Sequence, residues 1–306
     1  MKVLVLGSAA GGGFPQWNCN CRNCRGIRDG SIRALPRTQS SIAVSGDSSS
    51  DWILINASPD ILTQIKSLPR LSPKRKPRDA QFQAVILVDS QIDHTLGLLM
   101  LREGARLPIY CTVNVREDLE TGNPILRVLE SYCRTEWHRI PIEPSSSFAI
   151  SGIEDLRFSA LAVTGKAPPY SPRRDAPLPG DNIALTIEDR RNRKSLFYAP
   201  GLAAVDEAVA ARMKGADCIL VDGTFWTSDE MIRRGVGHKY AGDMGHLAQS
   251  GADGMLAHLE RIEGPRKVLI HINNTNPILD EDSVERRELA RAGVEVAFDG
   301  MEIDLW

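Results

Sequence analysis

Short runs of β-branched and other apolar residues, most of them closed by Gly, Pro, Asp or Ser, recur along the chain and constrain its fold more than any other feature. They are Val3–Leu6, Ser41–Val44, Trp52–Asn56, Ala84–Val88, Arg157–Val163, Ile183–Ile187, Ser195–Ala199, Cys218–Asp222, Lys267–Ile272, Val294–Phe298 and Met301–Leu305. Helix-period stretches lie between some of them: Pro59–Ser67, His94–Glu103, Val115–Tyr132, Ala203–Lys214, Ala252–Glu260 and Asp282–Arg291. Strands dominate each half and helices do not alternate strictly with them. That pattern suits two β-rich sheets packed together, with helices outside, better than a doubly wound parallel sheet. The last two runs read as a hairpin turned by Asp299-Gly300.

Composition narrows the function. Of 306 residues, 42% are hydrophobic and 25% charged, as in an ordinary globular enzyme. Lys and Arg number 37 against 39 acidic residues, a balance that argues against a broad nucleic-acid surface. No apolar run reaches the roughly 18–20 residues of a membrane span. The apolar stretch Val3–Leu6 is too short for a signal peptide, so the expectation is a cytoplasmic chain with no membrane partner. Two segments read as exposed loops. Leu68–Asp79 carries Lys74, Arg75, Lys76 and Arg78, a charge run expected to be a solvated face. Lys166–Asp181 is long enough to be a lid over a site, and an irregular surface excursion fits it equally well.

Glycines 7, 11, 12 and 13 follow the first strand, but their spacing matches no nucleotide-binding loop, which leaves close backbone passage or a tight turn. Cys19, Cys21 and Cys24 fall within one short segment, whereas Cys111, Cys133 and Cys218 are scattered like buried small apolar residues. Three thiolates so close together can surround one tetrahedral Zn²⁺. With a fourth protein ligand from elsewhere the cage has no open position, so the expected zinc is structural. Asp93-His94 follows an apolar strand and opens a helical stretch; taken alone, it is most simply an N-cap and a helix-start residue. His271 ends another buried strand, where a hydrogen-bonded core histidine is the ordinary explanation. Asp222 ends a third and needs a partner there; a role in orienting a metal-bound histidine is expected of it. Gly237-His238 and Gly245-His246 flank a glycine-rich segment with Tyr240 and Asp243. That segment is either an active-site loop, with His238, Tyr240 and His246 near the substrate, or a surface turn.

With these residues in hand, the chain resembles the metallo-β-lactamase superfamily, and more narrowly its branch concerned with assembly of pyrroloquinoline quinone (PQQ). The likeness is carried by the segment Val3–Cys21, by Ile92-Asp-His-Thr-Leu-Gly-Leu, Val221-Asp-Gly-Thr-Phe-Trp and His271-Ile-Asn-Asn-Thr-Asn-Pro, and by the closing Phe298-Asp-Gly-Met-Glu-Ile. It implies an α/β fold, the αββα sandwich of that superfamily, as a single domain over 1–306 with a zinc-binding loop near 19–24. The superfamily's hydrolases carry H-x-H-x-D-H, and here that stretch reads Asp89-Ser90-Gln91-Ile92-Asp93-His94. Both leading histidines are therefore absent. In the same comparison Gly165 stands at the later histidine and Pro200 at the bridging aspartate. The first metal site has lost its ligands, while Asp93, His94 and His271 of the second remain, which argues against a two-metal hydrolase.

Two histidines and one carboxylate can occupy one face of an octahedral ion and leave positions open, as in non-haem Fe(II) oxygenases, although such a set also accepts Zn²⁺ or Cu²⁺. The resemblance implies O₂-dependent hydroxylation with Asp93, His94 and His271 as the iron ligands. The substrate would be the tyrosine ring of a peptide-derived Glu–Tyr cross-linked intermediate, with other PQQ-pathway enzymes as partners. Two other readings stay open: a carrier of PQQ or its precursor towards the periplasm, and a metal-dependent hydrolase of the superfamily. Related phosphodiesterases place a zinc-binding histidine three residues beyond the active-site histidine. Asn274 stands there as the expected fourth zinc ligand, and Asn is a poorer zinc donor than His.

Overall fold

The computed structural model describes residues 1–46, 51–73 and 81–306. Strands β1 (Lys2–Gly7), β2 (Ser41–Ser45), β3 (Trp52–Ile55), β4 (Phe82–Ile86), β5 (Arg106–Cys111) and β6 (Arg134–Arg139) build one sheet. The other holds β7 (Phe148–Ile150), β8 (Ile153–Ala162), β9 (Ile183–Asp189), β10 (Ser195–Ala199), β11 (Cys218–Asp222), β12 (Arg266–Ile270) and β13 (Val294–Val296). The last strand, β14 (Glu302–Asp304), returns to the first sheet beside β1, so among the described residues each sheet has seven strands.

Side chains alternate faces along a strand, and here both faces are covered, which is why the runs are apolar throughout. In β1, Val3 and Val5 enter the core between the sheets, while Leu4 and Leu6 face the outer helical layer. In β11, Leu220 points into that same inner core, while Ile219 and Val221 meet the outer layer on the opposite side of the molecule. Helices Ile61–Ser67, Val113–Glu120 and Ile125–Leu129 cover the first sheet. Helices Glu207–Lys214, Met255–Glu260 and Val284–Arg291 cover the second. The result is the α/β αββα sandwich expected.

Four features differ from the sequence reading. Val294–Leu305 is not a hairpin: β13 and β14 belong to different sheets. Asp299 accepts hydrogen bonds from the Ser8 hydroxyl and from the Thr38 amide and hydroxyl, and Gly300 N donates to Val5 O, so the turn is fastened to β1 and hands the chain across. The helical stretches His94–Glu103 and Val115–Tyr132 each break in two. Gly97 lies so close to the preceding loop that a Cβ would come within 2.2 Å of Ser58 O, and the second break falls at Gly122-Asn123-Pro124. The cysteine segment is partly helical, Cys24 lying within Arg22–Asp29. Strands β5, β6 and β7 went unread; β5 contains Pro108, and β6 is a polar edge strand. Most of the basic loop, including Lys74, Arg75, Lys76 and Arg78, lies outside the described residues. The rejected nucleotide loop is a tight turn, with Gly12 and Gly13 at φ 91° and 70°. At Gly7 a Cβ would fall 2.1 Å from Gln39 O.

Candidate functional site

Strands β10, β11 and β12 run parallel, so their carboxyl ends lie at one level, with Asp222 paired to Ile270. Such an edge is where α/β sheets collect ligand sites. From β4 of the other sheet the chain passes through Asp89, Ser90 and Gln91 into a single turn, Ile92–Thr95. Gln91, not Asp93, is the N-cap of that turn, and Asp93 lies within it. His271 leaves β12 at φ 60°, a left-handed conformation that costs a residue with a Cβ of order 1–3 kcal/mol. The next residue holds it there: Ile272 N donates to Ser8 O and Ala10 N to Ile272 O, both at 2.9 Å.

These connections bring Asp93, His94 and His271 together, with one donor atom of each within 4.8 Å of the others. His271 Nε2 lies 3.1 Å from Asp93 Oδ2, and the His94 and His271 rings meet edge-on at 5.3 Å. Behind each histidine a partner holds Nδ1. His94 Nδ1 lies 2.8 and 2.9 Å from the two Asp89 oxygens, and His246 Nδ1 lies 2.7 Å from Asp222 Oδ2. For His271 the partner is the Thr224 hydroxyl at 2.9 Å. That hydroxyl also donates to Asp222 Oδ1 at 2.6 Å, a charged acceptor that takes its proton and leaves the oxygen lone pair for His271 Nδ1–H. All three histidines are thereby set in the tautomer that presents Nε2.

The electrostatics follow from the same contacts. Burial opposes charge on His94, but the Asp89 and Asp93 carboxylates outweigh it and push its pKa up to about 9. Burial likewise opposes charge on Asp93, yet His94 and His271 hold its carboxyl well below the usual range. His246 is raised by Asp222 against its own burial, and Asp222 is lowered by His246.

His94 Nε2 supplies the test of fit to a metal. It is buried and has no hydrogen-bond partner among the described residues, although its ring is clamped through Nδ1. A buried nitrogen without a partner is costly, and a metal ion beside Asp93 and His271 satisfies it. The second cluster fits a closed zinc cage. Cys19, Cys21 and Cys24 also bring their sulfurs within 4.8 Å of one another. Asn274 Nδ2 lies 3.1, 3.6 and 3.3 Å from the three in turn, so its side-chain amide occupies the remaining side. Turning that amide over would present Oδ1 to an ion. Cys24 is drawn down to about 7, chiefly by a hydrogen bond from Cys21, and the same bond together with burial pushes Cys21 up, so one thiolate is favoured in the cluster at the other's expense.

A cavity of about 260 Å³ opens over the first cluster. Asp89, Asp93, His94, His246 and His271 line it, together with Lys166, Arg174 and Asn182. Of the glycine-rich segment only part faces inward. Met244, Gly245 and His246 reach the cavity, whereas His238 and Tyr240 are exposed and do not line it, which corrects their expected place near the substrate. The reason is local: Gly242–Met244 forms a tight turn closed by Gly245 at φ 89°, which reverses the chain after Tyr240. Asp89 and Thr224 were missed as orienting residues. The available signal for Thr224 was its place two residues past Asp222 in Asp-Gly-Thr, at a strand end.

Residues 51–272 match the beta-lactamase superfamily domain. Over 308 aligned residues, covering 100% of both chains, the sequence is 59% identical to the coenzyme PQQ synthesis protein B of Azoarcus sp. (strain BH72). It is 57% identical to the protein of the same name from Cupriavidus necator, with 99% of each chain covered. Among solved structures, Zn²⁺-bound PqqB from Methylobacterium extorquens superimposes with a TM-score of 0.90 at 40% identity, over 100% of both chains.

Proposed function

The chain belongs to the coenzyme PQQ synthesis protein B family of the beta-lactamase superfamily, and from that premise we propose that its step in PQQ synthesis is a metal- and O₂-dependent hydroxylation. The substrate in this reading is the tyrosine-derived ring of a peptide-derived Glu–Tyr cross-linked intermediate. One observation carries it: His94 Nε2, buried beside Asp93 and His271 and without a hydrogen-bond partner among the described residues, would complete the two-histidine, one-carboxylate donor set of such oxygenases. Bound there, Fe(II) would supply activation of O₂ for insertion of one oxygen atom into a ring C–H bond, the other leaving as water with two electrons from a donor in solution and two protons. Asp93, His94 and His271 would hold the ion, and Cys19, Cys21, Cys24 and Asn274 a separate structural zinc.

The chain's own residues perform the rest. Asp89 and Thr224 fix the ring orientations of His94 and His271. Asp222 holds His246 by Nδ1 and leaves its Nε2 as the ring's free nitrogen at the cavity, suited to taking or giving the phenolic proton of a bound tyrosine ring. The cavity wall orients that ring against the cluster.

Anaerobic loading with Fe(II), then addition of oxygen, reductant and the cross-linked substrate, should give a product heavier by one oxygen atom. His271→Ala should abolish that product while leaving the cysteine-bound zinc and the fold intact. Hydroxylation by His271→Ala at the wild-type rate removes this histidine from the site. Binding of the finished quinone that is indifferent to metal, with no change in substrate mass, supports a carrier instead.

A further inference from the structure

Each histidine at the cavity lies against a carboxylate: His94 against Asp89, His271 against Asp93, and His246 against Asp222, which is buried behind it. Two cations on the wall are left over. Lys166 and Arg174 line the same cavity, and neither makes an ion pair with a carboxylate among the described residues. Arg174 is not loose: its Nη1 donates to Ala167 O, which lays the guanidinium along its own loop.

The loop that carries them is fastened at several points, so it is a wall rather than the lid its length also allowed. Arg173 is only 11% exposed and ion-pairs with Asp118, Asp181 and Glu117 at 2.6–2.7 Å. Tyr170 OH donates to Ser90 O, and Gln91 Nε2 to Lys166 O at 3.0 Å. A cation held in place beforehand loses little freedom when an anion arrives, and an arginine fork matches the two oxygens of a carboxylate. Asn182, also on the cavity, adds an amide beside them.

We propose that Lys166 and Arg174 form a carboxylate-binding wall, and that the cavity therefore takes an amino-acid-type anion whose carboxylates lie on this wall and whose aromatic ring lies over Asp93, His94 and His271. The assignment rests on the cavity being the substrate site, but not on the reaction performed there. The two cations on one wall can take two of the three carboxylates that a glutamate–tyrosine diamino acid carries.

The test is calorimetric titration of the zinc-loaded protein, which does not turn over, with two probes: the cross-linked glutamate–tyrosine diamino acid and its carboxamide, of like shape but without the negative charges. The wild type should prefer the free acid by at least about tenfold, and the preference should shrink as salt rises. Lys166→Gln and Arg174→Ala should each remove most of it while leaving carboxamide affinity unchanged, and Arg174→Lys should restore part. Zinc content and melting temperature check that each variant is folded. A wild type that binds both probes equally, or variants that keep the full preference, overturns the proposal. Failure of hydroxylation alongside an intact preference would instead count against the proposed reaction.

Discussion

Replacing Thr224 by Val keeps the shape of the side chain and removes one oxygen, and the structure says what that oxygen holds. It lies 2.6 Å from Asp222 Oδ1 and 2.9 Å from His271 Nδ1, at a residue only 2% exposed. Asp222 Oδ1 keeps the Thr224 amide, so it is not stripped of partners. His271 Nδ1–H has no other acceptor in the observed contacts, and a buried donor left unpaired costs about 1–3 kcal/mol. It can escape by moving its proton to Nε2, the atom proposed to face the metal, and then ceases to be a ligand. Loss of such an orienting contact weakens metal binding about 10–100-fold. The assay is competition against a chelator of known affinity, with the cysteine-held ion as internal reference. Binding at the Asp93–His94–His271 site should weaken by that factor, the reference should not change, and Thr224→Ser should recover most of the loss. Affinity within about twofold of wild type would refute the tautomer argument, because a factor of two is only about 0.4 kcal/mol.

Cys21→Ser should release the structural zinc and lower stability by at least about 2 kcal/mol, read by elemental analysis and urea unfolding, while the second metal site still loads. Gly165→Ala should cost about 1–3 kcal/mol, because its Cβ would fall 2.6 Å from Asn182 Cγ. Adding Asn182→Ala should return at least about 1 kcal/mol, and additivity to within about 0.5 kcal/mol would show that the two do not touch. Glu230 is pushed up from 4.5 to about 7, chiefly by burial, so the folded state holds its proton more tightly than the unfolded chain does. The stability this contributes is complete below pH 4.5 and is lost as pH rises through about 7, a change of about 3 kcal/mol. Glu230→Gln should flatten that part of the profile in unfolding curves taken between pH 4.5 and 8.

The parts of the fold legible in the sequence are those whose physics is local. Central strands such as β1, β3 and β11 are apolar on both faces, and that alone marks them. β6 has water along one edge and so carries Arg134, Glu136 and Arg139, which looks like a loop. The false hairpin at Asp299-Gly300 is a turn signal read correctly and a partner read wrongly, since only the folded chain shows Asp299 bonded to Ser8 and Thr38. The site divides in the same way. Asp93, His94 and His271 were legible through their motifs, and the fold brings them together. Asp89 read only as a missing histidine; its grip on His94 Nδ1 depends on how the chain turns after β4. His238 and Tyr240 looked equivalent to His246, and only the reversal at Gly245 separates them.

Several of the positions that the resemblance aligns with a first metal site make other contacts here. Asp89 clamps the histidine of the surviving site, and Gln91 ties the Lys166 backbone to that site's entrance. At Gly165 the Asn182 amide occupies the space a Cβ would need. Asp89, Gln91 and Asn182 all line the cavity above the remaining cluster, as does Gly201, next to Pro200. Two-metal hydrolysis draws its power from two ions about 3.5–4 Å apart clamping the attacking and leaving oxygens, whereas Asp89 here is turned onto His94 Nδ1. Under the proposed function, one ion held by Asp93, His94 and His271 would act on one atom of an aromatic anion bound against Lys166 and Arg174.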